Sequence, residues 1–116
     1  MQGQFSELRV PVLVRMIINS ELLTGAPSLE RVAENLGVSP RTLQRQLAES
    51  ETSFSAIVRD ARMDLSQSLL EQSQLPINEI AHRAGFASSA NFCRAFQSWL
   101  NMSPGDYRRR VTDGAN

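Results

Sequence analysis

Two arginines, Arg45 and Arg94, are the residues of this chain best placed to do chemistry, and that chemistry is recognition rather than bond making. A guanidinium presents a planar fork of donors that matches a guanine edge or a phosphate bidentately. Arg94 lies within Gly85 to Arg110, GFASSANFCRAFQSWLNMSPGDYRRR. Phe92, Ala95, Phe96 and Trp99 recur there at helical spacing as a buried stripe, so Ala90, Asn91, Arg94 and Gln97 point away from it. Gly85 supplies a tight turn and Ser88 a good helix N-cap. An aromatic anchor behind, with short polar groups and one arginine in front, suits a DNA major groove, because the anchor fixes where the fork can reach. An ordinary amphipathic helix has the same pattern, so one such stretch does not decide the matter.

A second stretch of the same kind does. Ser39-Pro40 is an N-cap followed by the proline allowed at the first helical position, and the spacing predicts a helix from there to about Ser50. Leu43 and Leu47 fall on one side of it, Arg41 and Arg45 on the other, with Gln44 flanking; these three are groove candidates. A short helix precedes it, capped by Ser28, apolar at Leu29, Val32, Ala33 and Leu36, and ended by Gly37. Arg31 stands at its third residue, where a capping box would carry Glu or Gln. Pro76, Ile77, Ile80, Ala81, Ala84 and Gly85 repeat that pattern. Aligning Gly37 with Gly85 puts Val38 on Phe86, Leu43 on Phe92 after a turn one residue longer, and Arg45 on Arg94. The chain therefore reads as a duplicated helix-turn-helix with an arginine at the same outward position in both copies.

The remaining elements position these two units. Phe54 to about Gln72 has no internal Gly or Pro and reads as one helix begun by Thr52 or Ser53, a rod of roughly 30 Å. That approaches the roughly 34 Å between successive major-groove faces on one side of DNA. Ahead of the first unit, apolar residues from Phe5 to Leu23 predict a helix after Pro11 or begun ahead of it, closed by Thr24-Gly25-Ala26-Pro27. Ser103-Pro104 starts a last short helix to about Val111. The expected organisation is residues 1–51 as a first helix-turn-helix subdomain, 52–73 as a linker helix, 74–112 as a second subdomain and 113–116 as a flexible tail.

Composition fits a soluble, cytoplasmic protein without announcing a partner. The chain has 116 residues, 41% of them hydrophobic, enough for one modest core or two small ones. No apolar run approaches the roughly 18 residues of a membrane span, and no secretory signal follows Met1. Twelve basic residues balance twelve acidic ones, so bulk charge gives no push toward nucleic acid. Every basic residue is arginine, a usage that a GC-rich genome accounts for, yet Arg41, Arg45, Arg94 and the run Arg108 to Arg110 can serve one face. Cys93 is the only cysteine and His82 the only histidine, so no metal site, cofactor or catalytic residue is expected.

These residues resemble the DNA-binding domain of the AraC/XylS family of bacterial transcription regulators, over about Val12 to Val111. INEIAHRAGFASSANFCRAFQSWLNMSPGDYRR looks like the family's signature: a short helix, a Gly-Phe turn, a helix with Phe and Arg-Ala-Phe, then Ser-Pro and Tyr-Arg. LERVAENLGVSPRTLQRQLAESETSFSAIVRDAR resembles its first helix-turn-helix and the start of its linker helix. The resemblance implies an all-α, homeodomain-like fold of about seven helices, two helix-turn-helix units joined by a long linker helix, with both reading helices in successive major grooves of double-stranded DNA. By position it implies base contacts at Arg41, Gln44, Arg45, Ser89, Ala90, Asn91 and Arg94. Phosphate contacts are implied at Ser39, Thr42 and Ser88, and at Arg108 and Arg109 of the basic run.

Two departures from the family pattern bear on the site. Ala87, Ser88, Ser89 and Ala90 are all small where many relatives carry an acidic residue and longer polar ones, which makes the second unit the poorer direct reader. Arg41, Gln44 and Arg45 are then expected to carry most of the discrimination, each good bidentate pair contributing about 1–3 kcal/mol, with Arg94 holding position or reading one guanine. Glu51 stands where relatives often have glycine. Relatives usually carry an effector-binding or dimerisation domain, for which 116 residues leave no room, and RNA polymerase is a further expected partner. The alternative is a protein-interaction module that contacts polymerase or a sensor domain without reading bases; the arginines at 45 and 94 argue against it.

Overall fold

The computed structural model describes the backbone of residues 2–114 and the side chains of residues 9–113. Among the described residues there are seven helices and no strand: α1 (Gln2–Leu22), α2 (Leu29–Leu36), α3 (Pro40–Glu49), α4 (Phe54–Gln72), α5 (Ile77–Arg83), α6 (Ser89–Leu100) and α7 (Pro104–Gly114). They form two compact units, Met1–Ala61 and Arg62–Asn116, whose boundary falls inside α4.

In the first unit α1 packs on α2 and α3, and α2 packs on α3. Val14, Ile18 and Leu22 of α1, four residues apart, are buried, as are Val32 and Ala33 of α2 and Leu43 and Leu47 of α3. The helix expected after Pro11, or begun ahead of it, starts ahead of the proline and runs through it. A proline inside a helix forfeits one backbone hydrogen bond, and here the buried residues that follow anchor the segment after it. Phe5, counted among the apolar positions of this segment, lies outside the described side chains.

The second unit is built around Leu70, Ile80, Ala81, Phe92 and Phe96, with Phe86, Trp99 and Tyr107 among the half-buried residues against them. Phe92 and Phe96 meet with ring centroids 5.7 Å apart at 73°, and Phe96 meets Tyr107 at 5.5 Å and 65°. Ser103 Oγ accepts the Asp106 N–H at 3.1 Å, which caps α7. That helix continues to Gly114 instead of stopping near Val111; of the expected tail, Ala115 and Asn116 lie outside the described residues.

The linker helix starts from Ser53, whose Oγ accepts the Ala56 N–H at 3.1 Å. Immediately before it, Glu51 sits in the left-handed region at φ 60°. Its N–H returns to Ala48 O and the Thr52 N–H to Leu47 O, both at 3.0 Å, closing α3 in the way a C-terminal glycine usually does.

Candidate nucleic-acid interface

The turn between α2 and α3 and the turn between α5 and α6 are built by the same backbone bonds. In the first, Gly37 at φ 72° donates to Glu34 O at 3.1 Å and Val38 to Ala33 O at 3.0 Å. In the second, Gly85 at φ 90° donates to His82 O at 3.1 Å and Phe86 to Ala81 O at 2.9 Å. Both closures need a residue with positive φ, where glycine carries no Cβ penalty. The duplication read from the sequence is therefore present at the level of individual hydrogen bonds.

Each turn delivers a serine-capped helix. Ser39 Oγ accepts the Thr42 N–H at 3.1 Å and lies 2.9 Å from Thr42 Oγ1. Ser88 Oγ accepts the Asn91 N–H at 3.1 Å. Leu43 and Phe92, each four residues past its cap, are fully buried, and so are Leu47 and Phe96 one turn later. Burial of each such side chain contributes about 1.5–3 kcal/mol, so the inner face of each helix is fixed and the outer face is determined with it.

On α3 that outer face carries Arg41, Gln44 and Arg45, all exposed, with Thr42 half-buried beside the cap. Arg45 is 67% exposed, and its Nε stands 3.7 Å from Glu49 Oε1 one turn on. An exposed pair of this kind contributes only about 0.3–0.5 kcal/mol, so the fork is readily surrendered to a stronger partner. On α6 the outer face carries Ala90, Asn91 and Arg94, exposed, with Ser89 half-buried. Arg94 Nη2 donates to Asn91 Oδ1. Asn91 thus aims the arginine, an arrangement with no counterpart on α3, where Thr42 occupies the equivalent position and bonds to its own cap.

Arg108 and Arg109 of the basic run on α7 have partners within the second unit. Arg108 Nε donates to Leu70 O at 3.2 Å and its Nη2 to Ser73 O at 3.3 Å, so its guanidinium satisfies carbonyls at the C-terminal end of α4. Arg109 pairs with Asp106 of its own helix while remaining 73% exposed. Cys93 is half-buried, and His82 is exposed in the last turn of α5.

Sequence reasoning missed two residues that shape these helices. Glu21 of α1 accepts the Ser28 N–H at 3.0 Å and the Arg31 Nε–H at 3.1 Å, fixing the start of α2 from outside it. Arg62 of α4 packs on the Gly85-Phe86 turn. Its signal was a charge in an apolar stripe, since Val58, Arg62, Leu65 and Leu69 share one side of α4.

A family model described as a helix-turn-helix domain matches residues 32–110, which takes in α3, α4, α5, α6 and most of α7. The chain belongs to the AraC/XylS family. It is the DNA-binding domain of a transcription regulator. It is 42% identical over 82 residues to the ornithine utilization regulator of Pseudomonas aeruginosa, covering 71% of this chain and 24% of that protein. In structure it resembles a DNA-binding transcriptional dual regulator from Escherichia coli K-12, with a TM-score of 0.83 and 28% identity over 90% of this chain and 93% of that one. An AraC-type DNA-binding protein from Chromobacterium violaceum matches with a TM-score of 0.76 and 25% identity over 96% of both chains. The chain spans 24% to 32% of the length of several curated relatives it matches. Among the described residues no helix is long and apolar enough to cross a membrane.

Proposed function

We propose that this chain reads double-stranded DNA with α3 and α6, one in each of two successive major grooves. One observation carries the proposal: two helices, each entered through the same glycine closure and capped by serine, each bury a stripe and leave an arginine on the opposite face. Base contacts are assigned to Arg41, Gln44 and Arg45 in the first unit and to Ser89, Ala90, Asn91 and Arg94 in the second. Ser39, Thr42 and Ser88 sit at helix N-termini, where a phosphate meets free N–H groups and the positive end of the helix dipole. Arg109, exposed, is assigned to phosphate; Arg108 reaches phosphate only with the part of its fork not given to α4.

The regulatory role extends beyond these residues. The 82 residues matched in one curated relative are 24% of its length and the 93 matched in another are 31%, so these proteins are much longer than this chain, and a companion domain that binds effector or dimerises is proposed to govern when this one acts. Contact with RNA polymerase belongs to the same proposal and is supported by relatives described as activators, among them the urease operon transcriptional activator of Escherichia coli. The function proposed is non-enzymatic and cytoplasmic.

Selection of random duplex DNA on the purified chain, followed by sequencing, tests the reading. Enrichment of a site with two blocks about one helical turn apart is expected. The affinity for that site should fall with salt at a slope reflecting about four to seven neutralised phosphates. Binding that responds to salt but enriches no sequence would defeat the proposal in favour of a protein-interaction role.

A further inference from the structure

We propose that Arg62 is a positioning residue for the second reading helix, acting through the turn that delivers α6. The proposal rests on α6 being a DNA-reading helix, and its mechanical half can be tested without DNA.

The contacts run in a continuous chain within the second unit. A Cβ placed on Gly85 would lie 3.2 Å from Arg62 Nε and 3.5 Å from Nη2, so the guanidinium occupies the space that glycine leaves open. Arg62 Cζ stands 5.6 Å from the centroid of the Phe86 ring, within range of a cation–π attraction. Phe86 in turn lies 5.3 Å from Phe92 and 5.9 Å from Trp99, centroid to centroid, and both of those residues are on α6. On the opposite face of α6 are Asn91 and Arg94. A side chain of α4 is therefore two contacts away from the helix that carries the proposed base readers.

An arginine is an unfavourable choice for mere filling. Its Nε is buried and finds no acceptor among the described residues, which costs free energy that an aliphatic side chain would not incur. The guanidinium supplies what an aliphatic chain cannot: a thin plate that passes a bare glycine backbone and a positive charge offered to an aromatic ring. Gly85 is then favoured twice over, by its φ of 90° and by the crowding that a Cβ would meet 3.2 Å from Arg62 Nε. Ser66, fully buried one turn along α4, donates to the Arg62 carbonyl at 2.6 Å and packs the same stretch of the helix.

The test compares the parent chain with Arg62→Met, Arg62→Lys and Phe86→Leu by amide hydrogen exchange and by DNA selection. Met keeps the length without the charge, Lys keeps the charge without the plate, and Leu removes the ring. All three are expected to speed exchange at residues 86–91 and to reduce discrimination in the second unit's block, each by about fivefold or more, the low end of one good base contact. Exchange in α3 and discrimination in the first block should stay at parental values. Unchanged exchange at 86–91 in Arg62→Met and Arg62→Lys overturns the proposal. So does full recovery of both readouts in Arg62→Lys, which would show that a charge suffices without the plate, or a loss of affinity equal for all sequences with exchange unchanged, which would make Arg62 a phosphate contact. If the parent itself enriches no site, the DNA-reading proposal fails, and exchange at 86–91 still decides whether Arg62 places α6.

Discussion

Glu21 Oε1 accepts the backbone N–H of Ser28 at 3.0 Å, so a residue of α1 does for α2 what the third residue of a capping box does within its own helix. Arg31, which occupies that third position, cannot accept a hydrogen bond; it donates to Glu21 Oε2 at 3.1 Å and to Ala26 O at 2.7 Å. The carboxylate is thereby held between an N-cap and a guanidinium, and the start of α2 is tied to the end of α1. Glu21→Ala is expected to lower the unfolding free energy by about 1–2 kcal/mol, the combined scale of a lost cap bond and a charge-assisted one. Glu21→Gln keeps an acceptor for Ser28 and should cost less than half as much. Urea denaturation of the two variants checks the order; equal effects would mean that the ion pair, not the cap, is what matters.

Glu51 at φ 60° is a non-glycine residue at a position that closes α3 in the left-handed conformation. Glu51→Gly is expected to stabilise the chain by about 0.5–1 kcal/mol, because the Cβ penalty in the native state exceeds the entropy that glycine adds to the unfolded chain. Thermal unfolding measures it. A lower melting temperature for the glycine variant would show that the Glu51 side chain contributes more than its backbone costs.

Arg108 and Arg109 are neighbours with different tasks. Arg108→Ala removes two bonds to carbonyls near the end of α4 and is expected to destabilise the chain by about 1–2 kcal/mol. Arg109→Ala should leave stability within about 0.5 kcal/mol of the parent, as exposed ion pairs generally do, while lowering the salt slope of DNA binding by about 0.9. Denaturation and salt titration of both variants separate the roles.

Tyr107 responds to alkali. Burial raises its pKa above the usual value for tyrosine; the hydrogen bond it donates to Glu71 and the charge of that carboxylate raise it further, against a lowering by the bond from Gln67. The folded state then holds the phenolic proton more tightly than the unfolded state. The resulting stability is fully present below the unfolded pKa of about 10 and is lost as pH rises through the higher folded value. Denaturation between neutral pH and the alkaline range should show a decline that Tyr107→Phe lacks.

What the sequence disclosed and what it hid divide by range. Ser39 and Ser88 as caps, Leu43 and Phe92 as anchors, and Arg45 and Arg94 as outward residues all follow from spacing within one helix, and the repeat doubled the signal. The bonds of Arg108 to Ser73 and Leu70 carbonyls, 35 and 38 residues away, leave no trace in local spacing, which shows only a basic run. Glu21 bonds to a helix that begins beyond a loop, and no periodicity points to such a pair. Spacing leaves the start of α1 open on either side of Pro11, because local propensity breaks a helix at proline, whereas Val14, Ile18 and Leu22 hold the segment after it through burial.

The most direct test of a two-helix reader is to repeat the DNA selection with Arg45→Ala and with Arg94→Ala against the parent. Arg45→Ala is expected to relax discrimination in one block by about 1–3 kcal/mol and leave the other untouched, while Arg94→Ala weakens or relaxes only the second block. If both substitutions lower affinity evenly across all sequences, or neither changes the selected site, then α3 and α6 do not read bases.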